Sequence, residues 1–204
     1  MKNILYTSLI FFNLNLLAQT AEQPTGSGTE NDPYLVGTLN NLYWITENSG
    51  EWDKYYVQTS DIDASSTSAW DGGQGFTPVG NNSTKFAGSY DGSGYTISGL
   101  TINRPSTNYT GLFGYTFGST IKDLGVDNVN ITGASRTAGL VGYNKFSSVS
   151  HCYSAGIVTG TDFVGGLVGI VDDSSTVSNC YLSLIHISEP TRPRLISYAV
   201  FCLK

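Results

Sequence analysis

Gly111-Leu112-Phe113-Gly114 returns as Gly139-Leu140-Val141-Gly142 and again as Gly166-Leu167-Val168-Gly169, at spacings of 28 and 27 residues. A second series keeps step with the first. Ile121-Lys122-Asp123-Leu124 aligns with Val149-Ser150-His151-Cys152 and with Val177-Ser178-Asn179-Cys180, 28 residues apart each time. A third pairs Val129-Asn130-Ile131-Thr132-Gly133 with Gly156-Ile157-Val158-Thr159-Gly160, and Ile97-Ser98-Gly99-Leu100-Thr101-Ile102 reads as a partial earlier copy of the second. Three strand-like pieces per period, separated by Gly and Ser corners, describe one coil of a solenoid.

The class that follows is all-β: a β-solenoid, or β-helix, of about 27–28-residue coils. One coil is too small to bury its own apolar side, so stability has to come from stacking at about 4.8 Å per coil. Leu112, Leu140 and Leu167 would form one internal ladder, and Ile121, Val149 and Val177 another. The glycines flanking each Leu would allow either positive φ or a close approach of neighbouring backbone. A β-sandwich carrying coincidental repeats is the competing fold.

Upstream of the repeats the texture differs. Residues 32–85 read as an N-terminal cap, which a solenoid needs to protect the edge of its first coil. Tyr34–Val36, Tyr55–Gln58 and Asp61–Ala64 are strand candidates within it. Thr38 to Asn48 reads as one short helix, with Thr38 as N-cap and Leu39, Leu42 and Ile45 on one face. All three tryptophans (Trp44, Trp52 and Trp70) fall in this cap beside Tyr43, Tyr55 and Tyr56. Such a cluster is either an aromatic plug or a platform for stacking sugars. The repeats proper occupy residues 86–181.

Residues 1–18 read as a secretory signal. Lys2 supplies the positive start, Ile4–Leu17 the apolar run and Ala18 the small residue before cleavage. Residues 19–31 are a polar linker. Export places the protein outside the cell or on its surface, with no membrane insertion once the signal is removed. Between Gln19 and Tyr181 six Lys or Arg stand against fifteen Asp or Glu, a net charge of −9. That balance argues against nucleic acid and anionic membrane surfaces as partners.

The repeat stops at Tyr181. Leu182–Arg192 (LSLIHISEPTR) resembles, codon by codon, a translated transposon-end adapter used in sequencing libraries. Pro193, Arg194 and Leu195 fall where a barcode would be read, and ISYAVFCLK (196–204) resembles the primer that follows. Residues 182–204 are therefore expected to be non-native, and His186, Cys202, Arg192 and Arg194 carry no functional weight.

GLFG, GLVG and GLVG, each followed by the I/V-x-x-L/C pattern and twice by Cys-Tyr, resemble the GLUG motif of bacterial secreted and surface proteins. FAGSYDGSGYTISGLTIN (86–103) and GSGTENDPYLV (26–36) also resemble segments that precede such repeats. The resemblance covers Gly26 to Tyr181. It implies export, a β-solenoid and an adhesin-like or surface role, and it carries no catalytic residues.

Few residues suggest chemistry on their own. His151 takes the place of Asp123 and Asn179 in neighbouring coils, so it reads as a drifted repeat position; alone it builds neither a triad nor a zinc site. Cys152 and Cys180 are equivalent positions one coil apart, within disulfide reach at about 5 Å, and they equally suit free, buried thiols. Asp61 and Asp63 alternate onto one face of a strand, while Asp71, Asp91 and the Asp172-Asp173 pair lie in turns; such oxygens suit calcium, and paired carboxylates could hydrolyse glycosides. Nothing brings them together, so no cofactor or metal is expected.

The function expected is a non-enzymatic extracellular repeat protein, adhesin-like or a display stalk, with an extracellular glycan or protein as partner. A polysaccharide-degrading β-helix enzyme and a passive spacer in a longer secreted protein are the alternatives. A concave acidic cluster flanked by aromatic subsites would favour the enzyme, and a smooth Ser/Thr/Asn surface the adhesin.

Overall fold

A computed structural model describes residues 19–172 and 174–188. The expected signal segment, residues 1–18, and residues 189–204 lie outside the described residues. The chain winds as a β-solenoid whose coils stack through parallel strands. Sheet A runs Tyr34–Val36, Tyr55–Gln58, Ser89–Asp91, Thr120–Lys122, Ser148–Ser150 and Thr176–Ser178. Sheet B carries Ile62–Asp63, Thr96–Ser98, Thr101–Asn103, Gly125–Thr132, Tyr153–Thr159 and Tyr181–Ser188. Sheet C contains Phe113–Phe117, Val141–Lys145 and Val168–Asp172, and the short sheet D pairs Ser135–Ala138 with Asp162–Gly165.

The registers expected from the repeats are the registers of the sheets. Ile121 pairs with Val149 and Val149 with Val177. Val129 and Ile131 pair with Gly156 and Val158. Leu112 and Leu140 are fully buried and Leu167 nearly so. Burying such a leucine contributes about 2–3 kcal/mol, and the ladders merge into one continuous core along the axis.

The spacings of 28 and 27 have a local cause. Gly125 and Val126 pair with Tyr153 and Ser154 at an offset of 28, and Val129 pairs with Gly156 at 27. Asp127 and Asn128 thus stand opposite Ala155 alone. Asn128 takes φ 50° at this bulge, as the extra residue of a bulge needs a kinked backbone. The offset stays at 27 through Lys145–Asp172 and returns to 28 at Ser148–Thr176.

Residues 32–85 continue the same architecture. Tyr34 pairs with Tyr56, Tyr56 with Tyr90, and Tyr90 with Ile121. One buried ladder therefore passes from three tyrosines to Ile121 and Val149. Each tyrosine hydroxyl is satisfied: Tyr34 and Tyr56 donate to Glu51, at 3.0 and 2.6 Å, and Tyr90 donates to Gln58 at 3.1 Å. The register also corrects the partial earlier copy. Ile97 pairs with Val126 and Ile102 with Ile131, so that segment belongs to sheet B, and Tyr90 is the forerunner of Ile121. An aromatic at the position concealed the equivalence.

The expected helix is present at Leu39–Glu47. Thr38 caps it: the Asn41 amide donates to Thr38 Oγ1, and the Thr38 amide donates to Asn41 Oδ1. Such a reciprocal cap satisfies two otherwise orphaned amides. Leu42 and Ile45 face the core, and Leu39 packs against it while partly exposed. Tyr181–Ser188 pairs along Tyr153–Thr159, so the last strand extends seven residues beyond the point where the repeat stops. Its backbone can pair because LSLIHIS contains neither Gly nor Pro.

Candidate functional site

The two glycines of each GLxG segment are there for closeness, since none of Gly111, Gly114, Gly139, Gly142, Gly166 and Gly169 has positive φ. A Cβ on Gly142 would lie 2.6 Å from the Arg136 carbonyl oxygen and 2.7 Å from that of Gly114. A Cβ on Gly169 would meet Gly142 O at 2.6 Å and Phe163 O at 2.8 Å. The chain folds back over the second glycine of each motif, bringing Tyr109, Arg136 and Phe163 against sheet C.

Left-handed backbone falls instead on non-glycine residues at repeating corners. Tyr109, Arg136 and Phe163 form one set (φ 61°, 62° and 54°), and Asp123, His151 and Asn179 another (φ 52°, 53° and 52°). Asp, His and Asn tolerate this region best among L-residues, which gives His151 a conformational reason for its place. Its ring accepts or donates at 3.1 Å to Asn179 and lies 3.8 Å from Asp123. The first set is different. Tyr, Arg and Phe pay about 1–2 kcal/mol each for this conformation.

What these three side chains gain is contact with one another and with sheet C. Tyr115 and Tyr143 are in register, 4.7 Å apart between ring centres, and Tyr109 stacks on both at 5.2 and 5.9 Å. The Arg136 guanidinium carbon lies 5.2, 5.6 and 5.5 Å from the rings of Tyr109, Tyr143 and Phe163. Lys85 approaches Tyr115 at 5.5 Å, and Lys145 approaches Phe146 at 5.6 Å. The Tyr143 hydroxyl donates to Asp172, and this bond, then burial, pushes the phenol up to about 12.

A second feature lies at the Asp123 corner. An open groove of about 530 Å³ is lined by Asp91, Asp123, His151, Tyr153 and Tyr181, among others. Tyr153 and Tyr181 stack at 5.1 Å with planes 11° apart, and the Tyr153 hydroxyl meets Thr96 Oγ1 at 2.9 Å. Its carboxylates are engaged locally: Asp91 pairs with Lys122 at 2.7 Å and accepts from the Ser93 amide, and Lys122 lies 3.6 Å from Asp123.

The remaining candidates are dispersed. Asp61 accepts from the Thr96 amide and Asp63 from the Ser65 amide, and Asp71 pairs with Arg104 at 2.9 Å. No group of three or more His, Cys, Asp or Glu that could hold a metal occurs among the described residues. Cys152 and Cys180 are buried, unbonded thiols. The Cys152 amide donates to Cys180 Sγ at 3.4 Å, and each thiol donates to a carbonyl of its own coil, Ser150 or Ser178, at 3.2 Å. The hydrogen bond to Cys180, and then burial, hold the Cys152 thiol above the usual cysteine range. Trp52 and Trp70 are buried within residues 32–85, where Trp52 donates to the Ile45 carbonyl and Trp70 packs edge-on against Tyr43.

Sequence reading did not single out the Tyr109–Arg136–Tyr143 face. Its signal is present: Tyr115 and Tyr143 share the 28-residue spacing of the glycines before them. A serine ladder, buried at Ser119 and Ser147 and partly exposed at Ser175, is the other omission. The Ser119 amide donates to Ser147 Oγ at 3.0 Å and the Ser147 amide to Ser175 Oγ at 3.2 Å, each link 28 residues long.

The fold and these outer ladders define a β-solenoid repeat protein. The chain is 39% identical over 157 residues to Halomucin of Haloquadratum walsbyi, covering 76% of this chain and 2% of that protein. It is 36% identical over 131 residues to a Gly-rich membrane protein of Evansella cellulosilytica, covering 62% of this chain and 15% of that one. The chain therefore spans a small part of the length of both. No protein-family model matches it, and no solved structure does. Among the described residues no helix is long and apolar enough to cross a membrane.

Proposed function

We propose that the chain is the solenoid portion of an exported, surface or extracellular structural protein, adhesin-like or a display stalk, without enzymatic activity. The observation that carries this reading is the stacking itself. The strands from Tyr34 to Ser178 form one continuous parallel stack, a shape suited to holding a face away from a cell and presenting it repeatedly. The likeness to Halomucin and to a Gly-rich membrane protein supports a surface or extracellular role. The resemblance to GLUG repeats and the signal-like residues 1–18 point the same way. The acidic side chains support a non-catalytic reading, since Asp61, Asp63, Asp71 and Asp91 each serve their own turn or ion pair.

Protease treatment of intact source cells tests this. Release of peptides from residues 26–181 without lysis is the expected result, and recovery only from the cytosolic fraction would contradict it. New reducing ends from a polysaccharide incubated with purified protein would overturn the non-enzymatic reading. We further take residues 182–204 as adapter-derived. Sequencing the source DNA across the Tyr181 codon should show a frame continuing in more Gly-Leu-x-Gly repeats; LSLIHISEPTR in the genomic DNA would refute this.

A further inference from the structure

We propose that the face formed by Tyr109, Arg136, Tyr143 and Phe163 binds a linear acidic polysaccharide, with Arg136 taking a carboxylate and the tyrosines supporting sugar rings. This assignment rests on the extracellular reading above.

Three independent observations converge on the face. The first is conformational: Tyr109, Arg136 and Phe163 occupy left-handed corners where Gly or Asn would be at ease. Strained backbone that retains bulky side chains in three successive coils points to a role for those side chains.

The second is the state of Arg136. Its Nε is buried without a hydrogen-bond acceptor, and its one hydrogen bond, from Nη1 to Ser135 Oγ, is 3.3 Å long. Among the described residues no carboxylate pairs with it. By contrast Lys54, Arg104 and Lys122 are each ion-paired, at 3.1, 2.9 and 2.7 Å. A guanidinium held rigidly among three rings presents a fork suited to a planar carboxylate.

The third is charge distribution. Of the six cations between Gln19 and Tyr181, Arg136 and Lys85 approach the rings of this face, and Lys145 approaches Phe146 just past the strand that carries Tyr143. Lys85 donates to the Asn82 carbonyl and meets no carboxylate among the described residues, while Lys145 lies 4.0 Å from Asp172. The carboxylates nearest in register, Asp162 beside Ser135 and Asp172 beside Lys145, accept from the hydroxyls of Thr161 and Tyr143. Residues 19–181 carry a net charge of −9, and within that stretch Arg136 and Lys85 are the cations over rings of this face.

Stacked tyrosines present apolar ring surface with polar edges, which matches a sugar's C–H face and its hydroxyl rim. The rungs Tyr115 and Tyr143 repeat at the coil spacing of about 4.8 Å and give way to Ile170 in the next coil, so an extended polymer lying along the axis meets the exposed Phe163 ring and the partly exposed Tyr109 and Tyr143 beside Arg136. An acidic peptide would satisfy the arginine and leave the tyrosine surface unused.

Affinity electrophoresis of the full chain in gels containing polygalacturonate, neutral dextran or poly-L-glutamate decides the matter. Polygalacturonate should retard the protein and the other two polymers should not. Arg136→Gly, chosen because glycine suits the corner, should weaken retardation roughly tenfold with an unchanged circular dichroism spectrum. Lys85→Gln, at a partly exposed site, should weaken it several-fold and serves if the first variant unfolds. No retardation by polygalacturonate, equal retardation by dextran or by polyglutamate, or unchanged binding in both variants overturns the proposal. The assay uses purified protein, so a cytosolic location would defeat the extracellular reading and leave this result standing on its own.

Discussion

The carbonyl oxygen of Arg136 lies 2.6 Å from the position that a Cβ on Gly142 would occupy. The glycine that marks the repeat in the sequence is thus what lets the Arg136 corner fold down onto sheet C, and the motif and the aromatic face have one cause.

Gly142→Ala should therefore destabilise the protein by about 2–3 kcal/mol, the usual cost of forcing a methyl into filled space. Gly50, with nothing within 4 Å of its missing Cβ and no positive φ, is the control, and Gly50→Ala should stay within about 0.5 kcal/mol. Urea unfolding of the two variants checks both values.

At the His151 corner the backbone, rather than any chemistry of imidazole, sets the choice of residue. His151→Asn, the residue found one coil later, should leave the melting temperature essentially unchanged. His151→Val should cost about 1–2 kcal/mol, because a β-branched residue resists φ 53°. Thermal denaturation of both variants distinguishes this from a catalytic or metal-binding histidine.

Much of this was legible from spacing alone. Leu112, Leu140 and Leu167, and Ile121, Val149 and Val177, recur because inward positions must match from coil to coil. The helix at Leu39–Glu47 was legible because Thr38 and the Leu42/Ile45 face obey local rules. Tyr34, Tyr56 and Tyr90 concealed their place in the same ladder, since an inward aromatic satisfied through Glu51 or Gln58 does not look like an aliphatic repeat. The Arg136 face was illegible for another reason. Its residues differ in type (Tyr109, Arg136 and Phe163), and only the fold-back over Gly114, Gly142 and Gly169 brings them onto Tyr115 and Tyr143.

Cys152 should behave as a closed, unreactive thiol. In a Cys202→Ser background, its alkylation by iodoacetamide at pH 8 should be slow in the native protein and complete in urea, because the hydrogen bond to Cys180 and burial both suppress its thiolate. Cys180, which the hydrogen bond with Cys152 lowers to about 7, should react first wherever reagent reaches it. Intact mass under non-reducing conditions should show two free thiols. A mass lower by about two daltons, the two hydrogens lost on S–S formation, would show that they pair.

The Tyr143–Asp172 hydrogen bond makes a prediction in alkali. The folded phenol titrates at about 12 rather than 10, so the neutral form is favoured by the fold. Its contribution to stability is complete below about pH 10 and is lost as pH rises toward 12. Asp172→Asn should move the titration of one tyrosine back toward the ordinary value, read from phenolate absorbance.

The central claim is that residues 28 apart lie side by side on adjacent coils. Nitroxide labels on cysteines introduced at Thr120 and Ser148, which pair in register on sheet A, test it most directly in a background without the native cysteines. Neighbouring coils predict strong dipolar broadening, as expected for backbones about 4.8 Å apart. A β-sandwich with coincidental repeats would separate the labels, and a spectrum equal to the sum of the two single-label spectra would contradict the solenoid.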